Sequence, residues 1–210
     1  MKEFTRFLKN RLQKELPGRK AQLKMAPRPV SSGSLRKMEP PDHANDSSVL
    51  ILLFPNEENK PELTLTLRSR DIDHGGQISF PGGRAEQGES AAETALREAE
   101  EEIGIPPESI TIIGQLSDLY INNSNNLVTP VVGVVKKKPN FKINPSEVEE
   151  VFAVELNSLL HKKNLTVENW ELGKHRYKVP YWDIHQVPLW GATAMMLHEF
   201  LDIYQDYCKQ

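Results

Sequence analysis

Residues 83–105 read GRAEQGESAAETALREAEEEIGI, a tight glycine turn followed by one acidic helix. Ser90 suits the N-cap, and Glu93 three residues on makes Ser90-x-x-Glu93 a capping box. Ala92, Ala95 or Leu96, Ala99 and Ile103 recur at helical spacing and give a narrow apolar stripe. Gly104 is placed to end the helix, and Pro106 and Pro107 prevent its continuation. The charge is the feature out of place. Glu98, Glu101 and Glu102 sit at i, i+3 and i+4 and share one face, where like charges repel by roughly 0.2–0.5 kcal/mol per pair. They also crowd the helix C-terminus, where the macrodipole disfavours anions. Solvated surface is the commonest use of a glutamate-rich face. The other use is a divalent cation, which turns the repulsion into ligation, because carboxylates are the hard oxygen donors that Mg²⁺ and Mn²⁺ prefer.

The wider pattern selects the second use. Gly83-x5-Glu89-x7-Arg97-Glu98-Ala99-x-Glu101-Glu102-x-Gly104-Ile105 resembles the box of the Nudix hydrolases at every fixed position. That family cleaves nucleoside diphosphates linked to another moiety. The resemblance implies an α/β (α+β) fold, a Nudix-type α/β/α sandwich with a mixed β-sheet. It implies a catalytic and metal-binding set in which Glu98 and Glu102 are the first ligands and Glu101 the next. Glu89, Arg97 and Gly104 are then structural box residues, with Arg97 pairing with Glu89 and orienting loop and helix; phosphate contact is the alternative for Arg97. Gly82 and Gly83 let the backbone approach the ligand closely. Glu147, in an acidic loop, is either an extra ligand or base, or plain surface charge.

The resemblance narrows further. Leu65-Thr66-Leu67-Arg68-Ser69, followed by His74-Gly75-Gly76-Gln77-Ile78-Ser79-Phe80-Pro81-Gly82-Gly83, looks like the segment upstream of the box in the coenzyme A pyrophosphatase subfamily. Val128 to Gly133, the Glu147-Val148 pair and Leu189 to Ala194 look like it too. The implied activity is metal-dependent cleavage of the diphosphate of coenzyme A or acyl-coenzyme A, giving 3′,5′-ADP and 4′-phosphopantetheine. Arg68 and His74 join Gly82 and Gly83 as substrate-binding residues, with Mg²⁺ or Mn²⁺ as cofactor. There is one departure: Arg70-Asp71-Ile72-Asp73 is one residue shorter than the subfamily pattern and carries Asp73 where an arginine is expected. Other readings are a Nudix hydrolase of ADP-ribose, a dinucleotide or a modified nucleoside triphosphate, and a non-catalytic nucleotide-binding Nudix module.

Composition sets the outer bounds. At 210 residues the chain suits one domain with an extension. No apolar run approaches the ~20 residues that a membrane helix needs, so no membrane is expected as a partner. The one cysteine excludes an internal disulfide and cysteine-based zinc sites, and points to the cytoplasm. Residues 1–37 hold 11 of the 26 lysines and arginines but only two of the 29 acidic residues. Such a basic arm attracts phosphates, or serves as a solvated lid or dimer contact. No aromatic platform is interleaved with its charges, so nucleic acid is not expected. The partner expected is a small-molecule nucleotide substrate, and apolar faces at both termini are compatible with a homodimer.

The sequence divides into a basic N-terminal helix and extended arm over 1–46 and a Nudix domain over 47–210. Met1 to Leu16 is expected to be an amphipathic helix stopped by Pro17-Gly18, and 18–48 a loop or arm rich in proline and serine. Val49 to Phe54 is a continuous apolar run, the pattern of a strand buried on both faces. Leu63 to Leu67 alternates leucine with threonine, the period of a strand with one buried face. Further strands are expected at 77–80, 110–120, 127–135, 151–156 and 177–184, a short helix at 157–161 and a closing helix over 190–207. Pro130 argues for an irregular or edge strand. Trp170, Trp182 and Trp190 are read as core or interface residues.

Overall fold

In the computed structural model, residues 1–31, 39–71 and 75–210 are described. The expected strand at Val49 to Phe54 lies inside β2 (Asn45–Pro55), at the centre of the main sheet. Its apolar run is continuous because both faces are covered. Leu50, Leu52 and Phe54 point to one packed layer, Ile51 and Leu53 to the other. Along one edge β2 runs parallel to β8 (Asn126–Val134). Along the other it pairs antiparallel with β3 (Pro61–Arg68) at one end and with β5 (Gly82–Arg84) at the opposite end. Between those two pairings β2 and β3 splay apart. Strand β4 (Ile78–Ser79) adds to β3 in the opening, and β9 (Val148–Glu155) covers the far edge of β3. Strands β6 (Thr111–Gln115) and β7 (Leu119–Ile121) pair in turn with β8.

One face of this mixed sheet is covered by α3 (Ala91–Ile103), whose Ala95, Ala99 and Ile103 pack on Leu50, Leu52, Val131 and Val148. The other face is covered by α5 (Gly191–Cys208), which buries Leu197, Phe200, Leu201 and Tyr204 against Leu63, Leu65 and Val132. The result is the α/β/α sandwich with a mixed sheet that the resemblance implied.

Three sequence expectations about the strands change. The Leu63–Leu67 alternation does not mark a wet face: Thr64 and Thr66 are as buried as the leucines, because β3 is also covered on both sides. Strand β8 is not an edge strand, for it lies between β2 and β6. Pro130 is tolerated there because its carbonyl accepts Leu116 N at the break between β6 and β7. The N and O of one strand residue point to the same side, so the missing N–H meets the break rather than a partner strand. The predicted late strand is β11 (His175–Trp182), and it pairs along its whole length with β10 (Leu165–Leu172), which the sequence reading left out. The two form a hairpin through a turn at Gly173, φ +63°, and β1 (Arg28–Pro29) makes it a three-stranded sheet.

The N-terminal helix α1 is shorter than expected, Lys2–Arg11. Its Phe4 and Leu8 are buried in the same core as α5, with Phe4 stacking edge-on to Tyr204 at 5.2 Å. The expected loop or arm over 18–48 begins differently, with α2 (Gly18–Gln22) packed on α5; residues 32–38 of that stretch lie outside the described residues. Buried Glu199 of α5 accepts hydrogen bonds from Gly18 N, Gln22 Nε2 and Ser117 N. The apolar faces at the two termini therefore cover each other. The short helix after β9 is α4 (Leu156–Leu159).

Candidate active site

The acidic helix is built as its sequence asks. Ser90 Oγ accepts Glu93 N, and the Glu93 carboxylate accepts Ser90 N at 2.8 Å, a complete capping box. At the other end Gly104 takes φ +67°, the left-handed cap conformation open to glycine. A Cβ at Gly104 would also meet Lys142 Cβ at 2.7 Å. The close approach has a purpose. Lys142 N and Asn144 N donate to the terminal helix carbonyls of Ile103 and Glu102. Those carbonyls are orphaned by the helix end, and pairing them docks the 142–147 loop against the acidic face.

That docking brings Glu147 to Glu98 and Glu102. One carboxylate oxygen from each of the three lies within 4.8 Å of the others. Glu102 is almost wholly buried, 2 % exposed. Its Oε2 accepts Gly82 N at 3.1 Å, and Arg68 Nη1 lies 3.8 Å from its Oε1. Glu98 accepts Arg97 Nη1 at 2.9 Å, with a side chain only 12 % exposed. Its carboxylate lies against Gly83, where a Cβ would come within 2.6 Å of it. Gly83 is thus the residue that lets the helix carboxylate sit flat on the β5 backbone.

Arg97 holds the rim. Its Nε donates to Glu89 Oε1 at 2.8 Å, Nη2 to Glu89 Oε2 and Arg84 O, and Nη1 to Glu101 Oε2 at 3.1 Å as well as to Glu98. Glu89 also accepts Glu86 N and Thr94 Oγ1. With the arginine first among these donors, its carboxyl is held down at about 2, and the Arg97 guanidinium is pinned in its charged form. Glu101 is half exposed and stands on this rim beside Arg97, outside the three-carboxylate group. Among the substrate-binding candidates, Arg68 lies next to Glu102, and Gly82 and Gly83 form the wall. His74 falls outside the described residues, as does Asp73 of the divergent stretch.

The electrostatics suit a cation. Burial pushes the Glu102 carboxyl up to about 8, against the lowering pull of Arg68 and the Gly82 amide. Glu98 is shifted upward by burial too, partly offset by Arg97. Three converging carboxylates, two of them short of water and flanked by the Arg97 and Arg68 guanidinium groups, form a hard oxygen donor set that fits a divalent ion. Sequence reasoning missed Asn144, whose amide donates to Glu147 Oε1 at 3.0 Å. No motif flagged it, because its role depends on a loop docking that no local spacing encodes.

The aromatic residues are set apart from this constellation. Trp182 is buried and donates to Leu159 O. Trp170 packs edge-on against Trp190, their ring centres 5.3 Å apart. No helix among the described residues is long and apolar enough to cross a membrane.

Comparison with known proteins gives a consistent result. A family model described as the NUDIX domain matches residues 44–198. An uncharacterised Nudix hydrolase, NudL, from Photorhabdus laumondii is 35 % identical over 174 residues, covering 81 % of this chain and 92 % of its own. Nudix hydrolase 3 of Caenorhabditis elegans is 31 % identical over 76 % of this chain and 74 % of its own length. Among solved structures, the Nudix hydrolase RenU of M. smegmatis superposes with a TM-score of 0.58 over 82 % of this chain and 96 % of its own, at 15 % identity. At that identity the likeness shows the fold alone.

Proposed function

From the premise that this chain belongs to the Nudix hydrolase family, we propose that it is a metal-dependent pyrophosphohydrolase acting on the diphosphate bridge of coenzyme A or an acyl-coenzyme A. The observation that carries the hydrolytic reading is the convergence of Glu98, Glu102 and Glu147 beside Arg68 and the Gly82–Gly83 backbone. Glu98 and Glu102 would hold a Mg²⁺ or Mn²⁺ ion, with Glu147 as a further ligand or as the base. When bound, the ion supplies charge neutralisation at the diphosphate and a lowered pKa for the attacking water.

The chain's own residues do the rest. Gly82 and Gly83 present backbone without side chains, so a diphosphate can lie close to β5. Arg68, a quarter exposed with its Nε unpaired among the described residues, can turn from Glu102 toward a phosphate oxygen. Arg97, Glu89 and Glu101 keep the β5–α3 turn in shape, so that reacting groups are held in line rather than gathered by chance. Water adds to one phosphorus and the bridging P–O bond breaks. For coenzyme A the products are 3′,5′-ADP and 4′-phosphopantetheine.

The substrate assignment is supported by the segments 65–69, 74–83, 128–133 and 189–194 and the Glu147-Val148 pair, which resemble the coenzyme A pyrophosphatases. The shortened Arg70–Asp73 stretch favours a second reading, a different nucleoside diphosphate derivative, because an aspartate there cannot bind an anion directly. The test is incubation with Mg²⁺ and coenzyme A, acetyl-coenzyme A, ADP-ribose, NADH, diadenosine polyphosphates and nucleoside triphosphates, with products identified by mass. Release of 3′,5′-ADP, fastest from the coenzyme A compounds, is expected. Faster cleavage of another diphosphate would move the substrate while leaving the chemistry in place.

A further inference from the structure

The 142–147 loop contains a side chain that the hydrolytic reading has not yet used. Asn144 Oδ1 accepts two hydrogen bonds, from Ser146 N at 3.2 Å and from Ser146 Oγ at 2.6 Å. A backbone N–H can only donate, so the Ser146 N contact fixes which end of the amide is oxygen. The Nδ2 end is thereby aimed the other way, at Glu147 Oε1, to which it donates at 3.0 Å. The same residue is tied to the acidic helix through its backbone, with Asn144 N donating to Glu102 O at 2.9 Å. Its carbonyl accepts Glu147 N and Val148 N, which closes a tight turn immediately before β9. Asn144 thus touches two of the three clustered glutamates, Glu102 through its main chain and Glu147 through its amide.

Glu147 has a long side chain on a half-exposed loop, and the Asn144 amide is the one side-chain hydrogen bond it makes among the described residues. With Oε1 engaged by a donor oriented through Ser146, the carboxylate is held in one rotamer beside Glu98 and Glu102. We infer that Asn144 is a positioning residue that presents the Glu147 carboxylate to a divalent cation shared with Glu98 and Glu102; the inference rests on the metal-site reading above. Partners that orient a ligating carboxylate typically account for 10–100-fold in metal affinity. Asn144 should also act without changing the number of ligands, because its own side-chain oxygen is committed to Ser146.

The test measures Mn²⁺ binding to the purified full chain by calorimetry, for wild type, Asn144→Ala, Asn144→Ser and Glu147→Gln. Asn144→Ser matters because a serine keeps an acceptor for the turn while removing the donor to Glu147. Melting in EDTA reports whether each variant folds. The expectation is about tenfold weaker Mn²⁺ binding in both Asn144 variants, a loss at least as large in Glu147→Gln, and EDTA melting of Asn144→Ser within a few degrees of wild type. Asn144→Ser that binds Mn²⁺ as wild type does, alongside a weakened Glu147→Gln, overturns the positioning role and leaves the metal reading intact. Wild-type affinity in both Asn144→Ser and Glu147→Gln removes Glu147 from the metal site, and the inference with it.

Discussion

At Glu102 the demands of folding and of chemistry oppose each other. Its carboxyl is buried and its pKa is raised to about 8, mainly by desolvation. A folded-state value above the unfolded one means that the native state holds the extra proton. The stabilising contribution is therefore complete below the ordinary glutamate range and is lost as pH rises through about 8. In EDTA, wild type should lose stability relative to Glu102→Gln between pH 5 and 8.5, by about 4 kcal/mol at the upper end. Urea midpoints across that range check it, and parallel pH profiles for the two proteins would contradict it. Added Mn²⁺ should restore wild type and leave the variant unmoved. Arg97 gives a second prediction. Arg97→Lys keeps the charge but loses the fork that spans Glu89, Glu98 and Arg84 O. Turnover should fall about tenfold or more, with Arg97→Ala lower still. Most of this residue-scale detail was legible in sequence, because Glu98 and Glu102 sit one helical turn apart on any helix. What could not be read is that Glu101, on the same face, is drawn to Arg97; Glu147, 45 residues beyond Glu102, is a candidate only through the resemblance, because no local spacing brings its loop to the helix.

Among the elements, α3 was the most legible, since capping box, apolar stripe and terminal glycine are all local signals and all agree. Its two ends predict a ranking. Ser90→Ala should cost about 1 kcal/mol through the lost cap. Gly104→Ala should cost more. It forces a Cβ into a left-handed residue and against Lys142, and it displaces the loop that carries Glu147. Chemical denaturation compares the two, and Mn²⁺ affinity should fall for Gly104→Ala alone. Strand β10 was illegible for a physical reason. Its sequence LTVENWEL has only Leu165, Val167, Trp170 and Leu172 as apolar positions. Leu165 and Val167 are exposed, so no clean period-2 burial marks the strand. Of the two positions Pro130 allowed, the irregular one holds and the edge one fails, because the rule that proline seeks an edge assumes an unbroken neighbour. Here the neighbouring strand is interrupted where the N–H would have pointed.

For the whole molecule, the sandwich followed from the resemblance carried by the acidic helix and its flanking segments. The N-terminal segment is read from its apolar spacing as an amphipathic helix, while its positive charge leaves a phosphate-attracting arm, a solvated lid and a dimer contact all open. Lys2, Arg6, Lys9 and Lys14 are exposed, but Phe4 and Leu8 complete the core under α5. Phe4→Ala should destabilise by about 3 kcal/mol, the usual cost of emptying a buried aromatic site. A thermal melt indistinguishable from wild type would mean that α1 is not part of the cooperative core.

The central claim is that these carboxylates, gathered by α3 and the 142–147 loop, make a divalent-ion site for diphosphate hydrolysis. Its most direct test is turnover of the substrate panel by Glu98→Gln against wild type at fixed Mg²⁺. The substitution keeps size and shape and removes one charge. The account predicts a loss of at least about 10²-fold on every diphosphate that wild type cleaves, with the fold retained by circular dichroism. Undiminished cleavage by the folded variant would contradict it.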